Sequence, residues 1–406
     1  MSEPNDVTSE SVYATGDIST NTDVPQPRAK PAKRPKRRKL WIVLTCVLLV
    51  VAILTACGIG GYRYIKQQYE ELSALGAQTC DLLEAHQYSM LYQHFSDTLK
   101  ARYTEDEFNH YGMEMDQFEG NVLSCGQSAG NHFTYDLGQR TITVASLDNR
   151  DGSGTHTGNV RFRQTDTGWK VDGFDVGFLG VSLDALKLAD KYCIALKERD
   201  DQAIYQMMAS SLRTETLQQF IQTAALHREV DGFAHDCALE GIGTKNTDTS
   251  STVSLHVQWG QHYGVGTITF GDTPSGWAMT HIDPSVQGRD LTPVTVAERW
   301  CTDIHSQNYT DAFGLLTQET QQTISASAYA AQYSGKKNSI KWLNCTVDPS
   351  TYTGDTAAKA VTLYAGVQLE NTATKRQMSN KASIGLAPDG QTWGIALVFL
   401  CGLYEC

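Results

Sequence analysis

The apolar positions of the chain form one long uninterrupted stretch, from Leu40 to Tyr62, which carries no charged residue. As a helix with ~1.5 Å per residue it would be about 34 Å long, enough to cross a bilayer core of roughly 30 Å. Residues 1–39 are polar and hold five of the ten prolines. They have almost no apolar side chains to bury, so we predict that this tail is disordered and that residues 40–62 cross a membrane.

Beyond this stretch, helical periodicity gives way to strand periodicity three times. Tyr88, Leu91, Tyr92 and Phe95 lie at i, i+3, i+4 and i+7, which places them on one face of a helix and is typical of a core. The capping box in 104–107 predicts the start of another helix, which would end before a glycine. The same apolar face recurs in the third copy, at Tyr309, Ala312, Phe313 and Leu316.

Strand-like segments separated by Asp- and Gly-rich turns follow each helical region. The predicted strands are 140–147, 160–165 and 169–174 in the first copy, 252–259, 265–270 and 277–282 in the second, and 360–367, 377–385 and 393–399 in the third. Trp169, Trp277 and Trp393 mark the closing strands. With the strand that carries its second cysteine, each copy has three helices and a four-stranded meander, so we predict α+β domains at 66–178, 183–285 and 293–406.

Cysteine spacing supports the threefold repeat. Three cysteines are each followed by another 44 or 45 residues later, and their first members recur at 113 and 108 residues. Closing a loop of this length would stabilise a domain by roughly 4 kcal/mol. The predicted disulfides are Cys80–Cys125, Cys193–Cys237 and Cys301–Cys345, with Cys401–Cys406 as a fourth pair that would tie down the C terminus.

The charges flanking the apolar stretch predict its orientation. Arg28–Lys39 contains eight Lys or Arg, whereas the other flank has only Arg63 and Lys66 before two glutamates. Dense positive charge stays on the cytoplasmic side, so we expect the N terminus inside and residues 63–406 outside. Binding to nucleic acid or anionic lipid is the alternative interpretation of the basic run, but its position beside the apolar stretch favours the topological one.

A second interpretation of the apolar stretch concerns Cys57. Leu54-Thr55-Ala56-Cys57 matches the lipobox pattern of bacterial lipoproteins, and a basic region followed by an apolar one also resembles a secretory signal. An uncleaved signal anchor and a lipid-modified Cys57 therefore both stay open, and both place the repeats outside the membrane. Cys46 is expected to be a small apolar residue of the helix.

Net charge changes the expected partners. The chain carries −12 overall, and residues 1–39 have eight basic and five acidic side chains, so −15 falls on the remainder. An acidic portion of this size argues against nucleic-acid binding and favours solubility or cationic partners. The membrane and an unidentified protein or small molecule on the outer face are the partners that we expect.

The repeated unit resembles the nuclear-transport-factor-two-like superfamily, the cone-shaped α+β fold also called SnoaL-like or cystatin-like. The resemblance rests on the helical segment 88–99, on Thr104 to Phe108, on Gly120-Asn121-Val122 and on Gly168-Trp169-Lys170-Val171, and it extends over 66–406 as three copies. It implies a curved sheet that wraps a helix and leaves a conical pocket. Some members are isomerases or dehydratases, whereas many extracytoplasmic members only bind or space.

No catalytic, cofactor-binding or metal-binding residue is predicted. His256 and His262 could face one another across a hairpin, but no third ligand has the spacing that a metal needs. His86, His94 and His110 could form a polar pocket wall in the first copy. The chain has no CxxC, phosphate-binding glycine loop, GxSxG or HExxH motif.

Two hypotheses about function follow. The first is a membrane-anchored extracytoplasmic protein without catalytic activity that binds a ligand or partner, or spaces a surface. The second is an isomerase, dehydratase or hydrolase acting on a small molecule in one cone. We expect cone interiors that are shallow or filled by Tyr, Phe and Leu, with grooves between repeats as contact surfaces. A roomy first-copy pocket lined by His94 or His110 beside a carboxylate would favour the enzyme.

Overall fold

A computed structural model describes residues 37–127, 133–136, 138–152, 154–243, 245–260, 262–355 and 360–401. The chain divides into two compact units, residues 1–67 and 68–406. In the first unit, the helix that begins at Arg37 carries the apolar stretch. It is the one described helix that is long and apolar enough to cross a membrane. This helix, α1 (Arg37–Glu84), does not end at Tyr62 but continues to Glu84, because no glycine or proline interrupts residues 63–75.

The second unit is α+β, as predicted, with three antiparallel sheets. The first repeat contains the end of α1 and the elements α2 (Tyr88–Gln93), α3 (Asp97–Arg102), α4 (Glu105–Glu119), β1 (Val122–Gln127), β2 (Phe133–Asp136), β3 (Thr141–Arg150), β4 (Gly154–Thr165) and β5 (Gly168–Phe174). Its strand order is β1-β3-β4-β5, and β2 pairs with β3. Strand β2 was not predicted, so this sheet has five strands instead of four.

The second and third repeats follow the same plan. A short helix α5 (Val176–Leu179) precedes the second repeat, which contains α6 (Leu183–Glu198), α7 (Asp201–Met207), α8 (Leu217–Asp231), β6 (Ala234–Ile242), β7 (Ser250–Trp259), β8 (Tyr263–Thr273) and β9 (Gly276–Ile282). After the 3₁₀ turn Pro284–Val286, the third contains α9 (Thr292–His305), α10 (Tyr309–Gly314), α11 (Gln318–Thr323), α12 (Ala326–Tyr333), β10 (Ile340–Asp355), β11 (Ala360–Asn371), β12 (Gln377–Asp389) and β13 (Thr392–Cys401). Both sheets are four-stranded meanders, and the third repeat has four helices of its own instead of three.

Equivalent backbone positions join helix to closing strand in every repeat. Phe95, Met208 and Leu316 each form an isolated parallel bridge with the closing strand, to Val171, Met279 and Ile395 respectively. All three bridging residues lie fifteen positions after the first cysteine of their copy. This shared contact shows that the periodicity of the sequence corresponds to a repeated three-dimensional unit.

The three repeats do not each have a separate hydrophobic core. One cluster of buried apolar residues runs continuously through the first and second repeats. A second cluster fills the third repeat and includes Val230, which comes from α8 of the second. Residues 68–406 form one compact unit, which contains all three repeats. The boundaries predicted between them therefore stay predictions.

Three disulfides stabilise the repeats. Cys80–Cys125, Cys193–Cys237 and Cys301–Cys345 are all bonded, as their spacing predicted. In each repeat the bond joins the first helix to the first strand of the sheet, across a separation of 44 or 45 residues. Cys401 is also disulfide-bonded. Cys406 lies outside the described residues, so the predicted Cys401–Cys406 pair stays a prediction.

Candidate functional site

The first repeat contains a buried polar cluster between α4 and β3. The side chains of Arg150 and Asp148 are 0% exposed, and the guanidinium donates to the carboxylate at 2.9 Å. Arg150 also lies 3.5 Å from Asp116, which accepts a hydrogen bond from Tyr88 at 2.6 Å. Burial raises the pKa of the Asp148 carboxyl and of the Tyr88 hydroxyl. The guanidinium of Arg150 pairs with these carboxylates away from solvent. Such an arrangement is typical of a structural ion pair and not of a general base.

A cavity of 320 Å³ lies between α1 and the sheet of the first repeat. The interior of the first repeat is therefore not completely filled, so of the two expected forms, filled or shallow, this repeat is not the filled one. Its lining includes the Cys80–Cys125 disulfide, Val160 and Phe162, and Asp81 is its one acidic residue. Neither His94 nor His110 lines this cavity. The arrangement that would favour an enzyme is thus not found there.

The histidines singled out in the sequence lie in separate environments. His86 Nδ1 is 2.9 Å from Asp116. Burial lowers the pKa of His94, and the neighbouring Lys170 and Lys100 add to this effect. His110, by contrast, is half-exposed and lies near two carboxylates. Their different contacts do not indicate one shared pocket wall.

The prediction that His256 and His262 face one another across the hairpin is wrong, because the strands pair in a different register. Residue 256 on β7 pairs with Val265 on β8, so it does not lie directly opposite residue 262. The imidazole of His256 instead reaches the neighbouring strand β6. Its Nδ1 is 2.9 Å from Glu240, and its Nε2 is 3.3 Å from Asp236.

The second repeat has a cavity of 110 Å³ between its three helices and the edge of its sheet, lined by apolar and charged residues. Its apolar lining includes Leu196, Ile204, Phe220 and Trp259. Trp259 is 3% exposed, and its indole Nε1 has no hydrogen-bond partner among the described residues. Buried donors are nearly always paired, so the unpaired indole N–H of a residue that lines a cavity marks that cavity as a candidate ligand site.

Charged side chains border this second-repeat pocket. Arg199, at the C-terminal end of α6, is exposed and adopts φ 64°. Its guanidinium carbon lies 3.6 Å from the ring centroid of Phe233. Arg228 on α8 forms a two-pronged ion pair with Asp201 on α7, at 2.8 and 2.9 Å. Asp201 is therefore paired, whereas Arg199 is exposed at the pocket and Glu215 adds an acidic side chain to the lining.

A polar groove of 390 Å³ lies between the first and second repeats. Arg102 and Asp184 form an ion pair across it, and Tyr103 donates to Asp184 at 2.6 Å. Arg161 and Asp248 also line it. A groove between repeats is thus present where contact surfaces were expected. Its charges are largely paired internally, so the second-repeat pocket is the stronger candidate for binding.

Cys46 and Cys57 are exposed on α1 and have free thiols. Exposure of the Cys57 thiol is compatible with both an intact anchor and a lipid-modified cysteine. Neither interpretation is tested by the structure, and both stay predictions.

No family model matches the chain, and no curated protein matches it. Among solved structures, the chain is similar to an "Ntf2 like protein involved in plasmid conjugation". The match covers 51% of this chain and 97% of that one at 8% sequence identity, with a TM-score of 0.20. A TM-score this low carries no argument about fold or function, so the cone-like resemblance stays a prediction.

Proposed function

We propose that the chain is a membrane-anchored extracytoplasmic binding protein without catalytic activity, which takes an apolar, ring-sized group into its second-repeat pocket. The observation that carries this proposal is that Trp259 lines the cavity and that its buried indole N–H has no hydrogen-bond partner among the described residues. Burying a donor without an acceptor costs about 1–3 kcal/mol. A ligand that supplies the acceptor recovers part of that cost, which gives the pocket its specificity.

Size and charge define the class of ligand. The cavity measures 110 Å³, and engineered apolar cavities of about 150 Å³ bind benzene. One aromatic ring or a branched aliphatic group is therefore a suitable occupant. The exposed Arg199 favours a ligand whose polar end is acidic, so the proposed ligand is a small molecule with one apolar ring and a carboxylate.

The anchored, extracytoplasmic placement has separate support. The apolar helix α1 is long enough to cross a membrane, and three disulfides are typical of oxidising compartments. The basic residues before the helix favour an inside N terminus. Lipid modification of Cys57 is the alternative form of the anchor, and it leaves the repeats on the same side.

The ion pairs support a function without catalysis. Asp148 is paired with Arg150 in the first repeat, and Asp201 with Arg228 in the second. Each carboxylate already makes a close contact with a guanidinium, so it is not free to approach a substrate as a general base. No contact among the described residues favours an isomerase, dehydratase or hydrolase specifically.

Changing Trp259 to Phe is expected to weaken the binding of benzoate about tenfold, because an aromatic side chain remains but the N–H and its hydrogen bond are lost. Benzoate combines a ring of suitable size with a carboxylate acceptor. Calorimetric titration of the full-length chain in detergent measures the dissociation constant. Trp277→Phe, in the groove between repeats, is the matched control and should bind like the wild type. Equal affinities of all three proteins, or no binding by the wild type, would refute the proposal for this pocket.

A further inference from the structure

Three ligating side chains converge between the first and second repeats, away from the second-repeat pocket. His110 and Glu114 lie on α4, and Asp190 lies on α6. His110 Nε2 is 3.4 Å from Glu114 Oε1 and 3.6 Å from Asp190 Oδ2. One ligand atom of each side chain lies within 4.8 Å of the other two. Two carboxylates thus share one imidazole, and the group has the composition of a cation site.

The separations fit a tetrahedral ion. Zinc binds imidazole nitrogen and carboxylate oxygen at about 2.0–2.2 Å, which places the ligand atoms of a tetrahedron about 3.4 Å apart. The distances from the His110 nitrogen to the two carboxylates, 3.4 and 3.6 Å, are close to this value. The third separation, between the two carboxylate oxygens, is at most 4.8 Å, so rotation of the carboxylates would bring all three ligand atoms around one ion.

Rigid elements hold the three groups. The i,i+4 spacing of His110 and Glu114 puts both side chains on one face of α4. The hydroxyl of Tyr111, a residue that is 1% exposed, also interacts with the Asp190 carboxylate. Such supporting interactions are a regular feature of metal sites. The half-exposed imidazole leaves a path for an ion from solvent.

We propose that His110, Glu114 and Asp190 form a zinc site that ties α4 of the first repeat to α6 of the second. The mixed nitrogen and oxygen donors select Zn²⁺ over Ca²⁺ and Mg²⁺, which prefer oxygen ligands alone. A water molecule completes the tetrahedron. The site braces the junction between two repeats, and the sequence alone did not predict it because its third ligand comes from another repeat.

Calorimetric titration of the full-length chain in detergent, after removal of metals with EDTA, tests this site with Zn²⁺. We expect one strong site in the wild type. His110→Ala and Asp190→Asn should each weaken Zn²⁺ binding at least about tenfold, since even loss of a supporting partner costs 10–100-fold. Glu114→Gln, which keeps the shape of the side chain, should have the same effect and guards against a folding defect in the other variants.

His256→Ala is the matched control. This imidazole also has two acidic neighbours, but Glu240 contacts Nδ1 and Asp236 contacts Nε2, so the carboxylates lie at different ring nitrogens and do not converge on one ion. The control should retain the wild-type Zn²⁺ affinity. Unchanged affinity in the His110, Glu114 and Asp190 variants, loss of affinity in the control, or equal binding of Ca²⁺ would each overturn the proposal.

Discussion

Replacing Arg289 by alanine is expected to lower the free energy of unfolding by about 3–5 kcal/mol, the usual cost of removing one partner of a buried ion pair. The guanidinium lies 2.5 Å from the carboxylate of Asp231, whose side chain is 0% exposed. It also donates to the carbonyl oxygens of Val230 and Tyr352, at 2.7 and 3.2 Å. The variant would leave a buried carboxylate without this partner and remove contacts that join the second repeat to the third.

Unfolding of the full-length chain by guanidinium chloride in detergent, monitored by tryptophan fluorescence, measures this loss of stability. Lys375→Ala is the control, because its ion pair with Glu370 is exposed: the lysine side chain is 73% exposed and lies 3.4 Å from its partner. An exposed pair contributes at most about 1 kcal/mol. If Arg289→Ala shifted the unfolding midpoint no more than the control does, the buried pair would not stabilise this junction.

The same variant should change the dependence of stability on pH. Burial alone would raise the pKa of the Asp231 carboxyl, but the adjacent His227 and Arg289 outweigh it and hold the pKa below its usual value. Since the unfolded chain then binds more protons, the wild type loses this stabilisation as the pH falls below about 4. Without Arg289 the loss at acidic pH should be smaller.

Loss of the Cys193–Cys237 disulfide is expected to lower the free energy of unfolding by about 4 kcal/mol. The bond closes a loop with a sequence separation of 44 residues, and its removal restores conformational freedom to the unfolded chain. The double substitution Cys193→Ala and Cys237→Ala tests this without leaving a free thiol. Both cysteines are buried, so the alanine substitutions also remove buried side-chain atoms. The reference for the double variant is therefore the wild type under reducing conditions, which loses the cross-link but keeps the side chains.

Reduction should therefore destabilise the wild type and leave the second repeat of the double variant unaffected. Thermal unfolding of both proteins, with and without dithiothreitol, provides the comparison. A double variant as stable as the oxidised wild type would show that hydrophobic burial alone maintains the second repeat.

Features with strong local signals were predictable from the sequence. The side chain of Thr104 and that of Glu107 form the expected capping box, and Gly120 ends α4 with φ 89°. Tryptophan marked the closing strands correctly, because Trp169, Trp277 and Trp393 lie in β5, β9 and β13. Strand β2 was missed because its four residues are too few to show a period.

The candidate sites depend on long-range placement and were less visible. The i,i+4 spacing of His110 and Glu114 could be read from the sequence, but Asp190 approaches them only because α6 packs on α4. Trp259 and Arg199 are far apart in the sequence of the second repeat. No local pattern shows that they border one cavity, or that the indole N–H lacks an acceptor.

Protease treatment of intact cells, followed by non-reducing peptide mapping, tests most directly whether the repeats lie outside the membrane. We expect peptides from residues 63–406 to be released with Cys80–Cys125, Cys193–Cys237 and Cys301–Cys345 bonded, while the basic run 28–39 is protected. Protection of the repeats together with cleavage of the basic run would contradict the proposed orientation and the extracytoplasmic function.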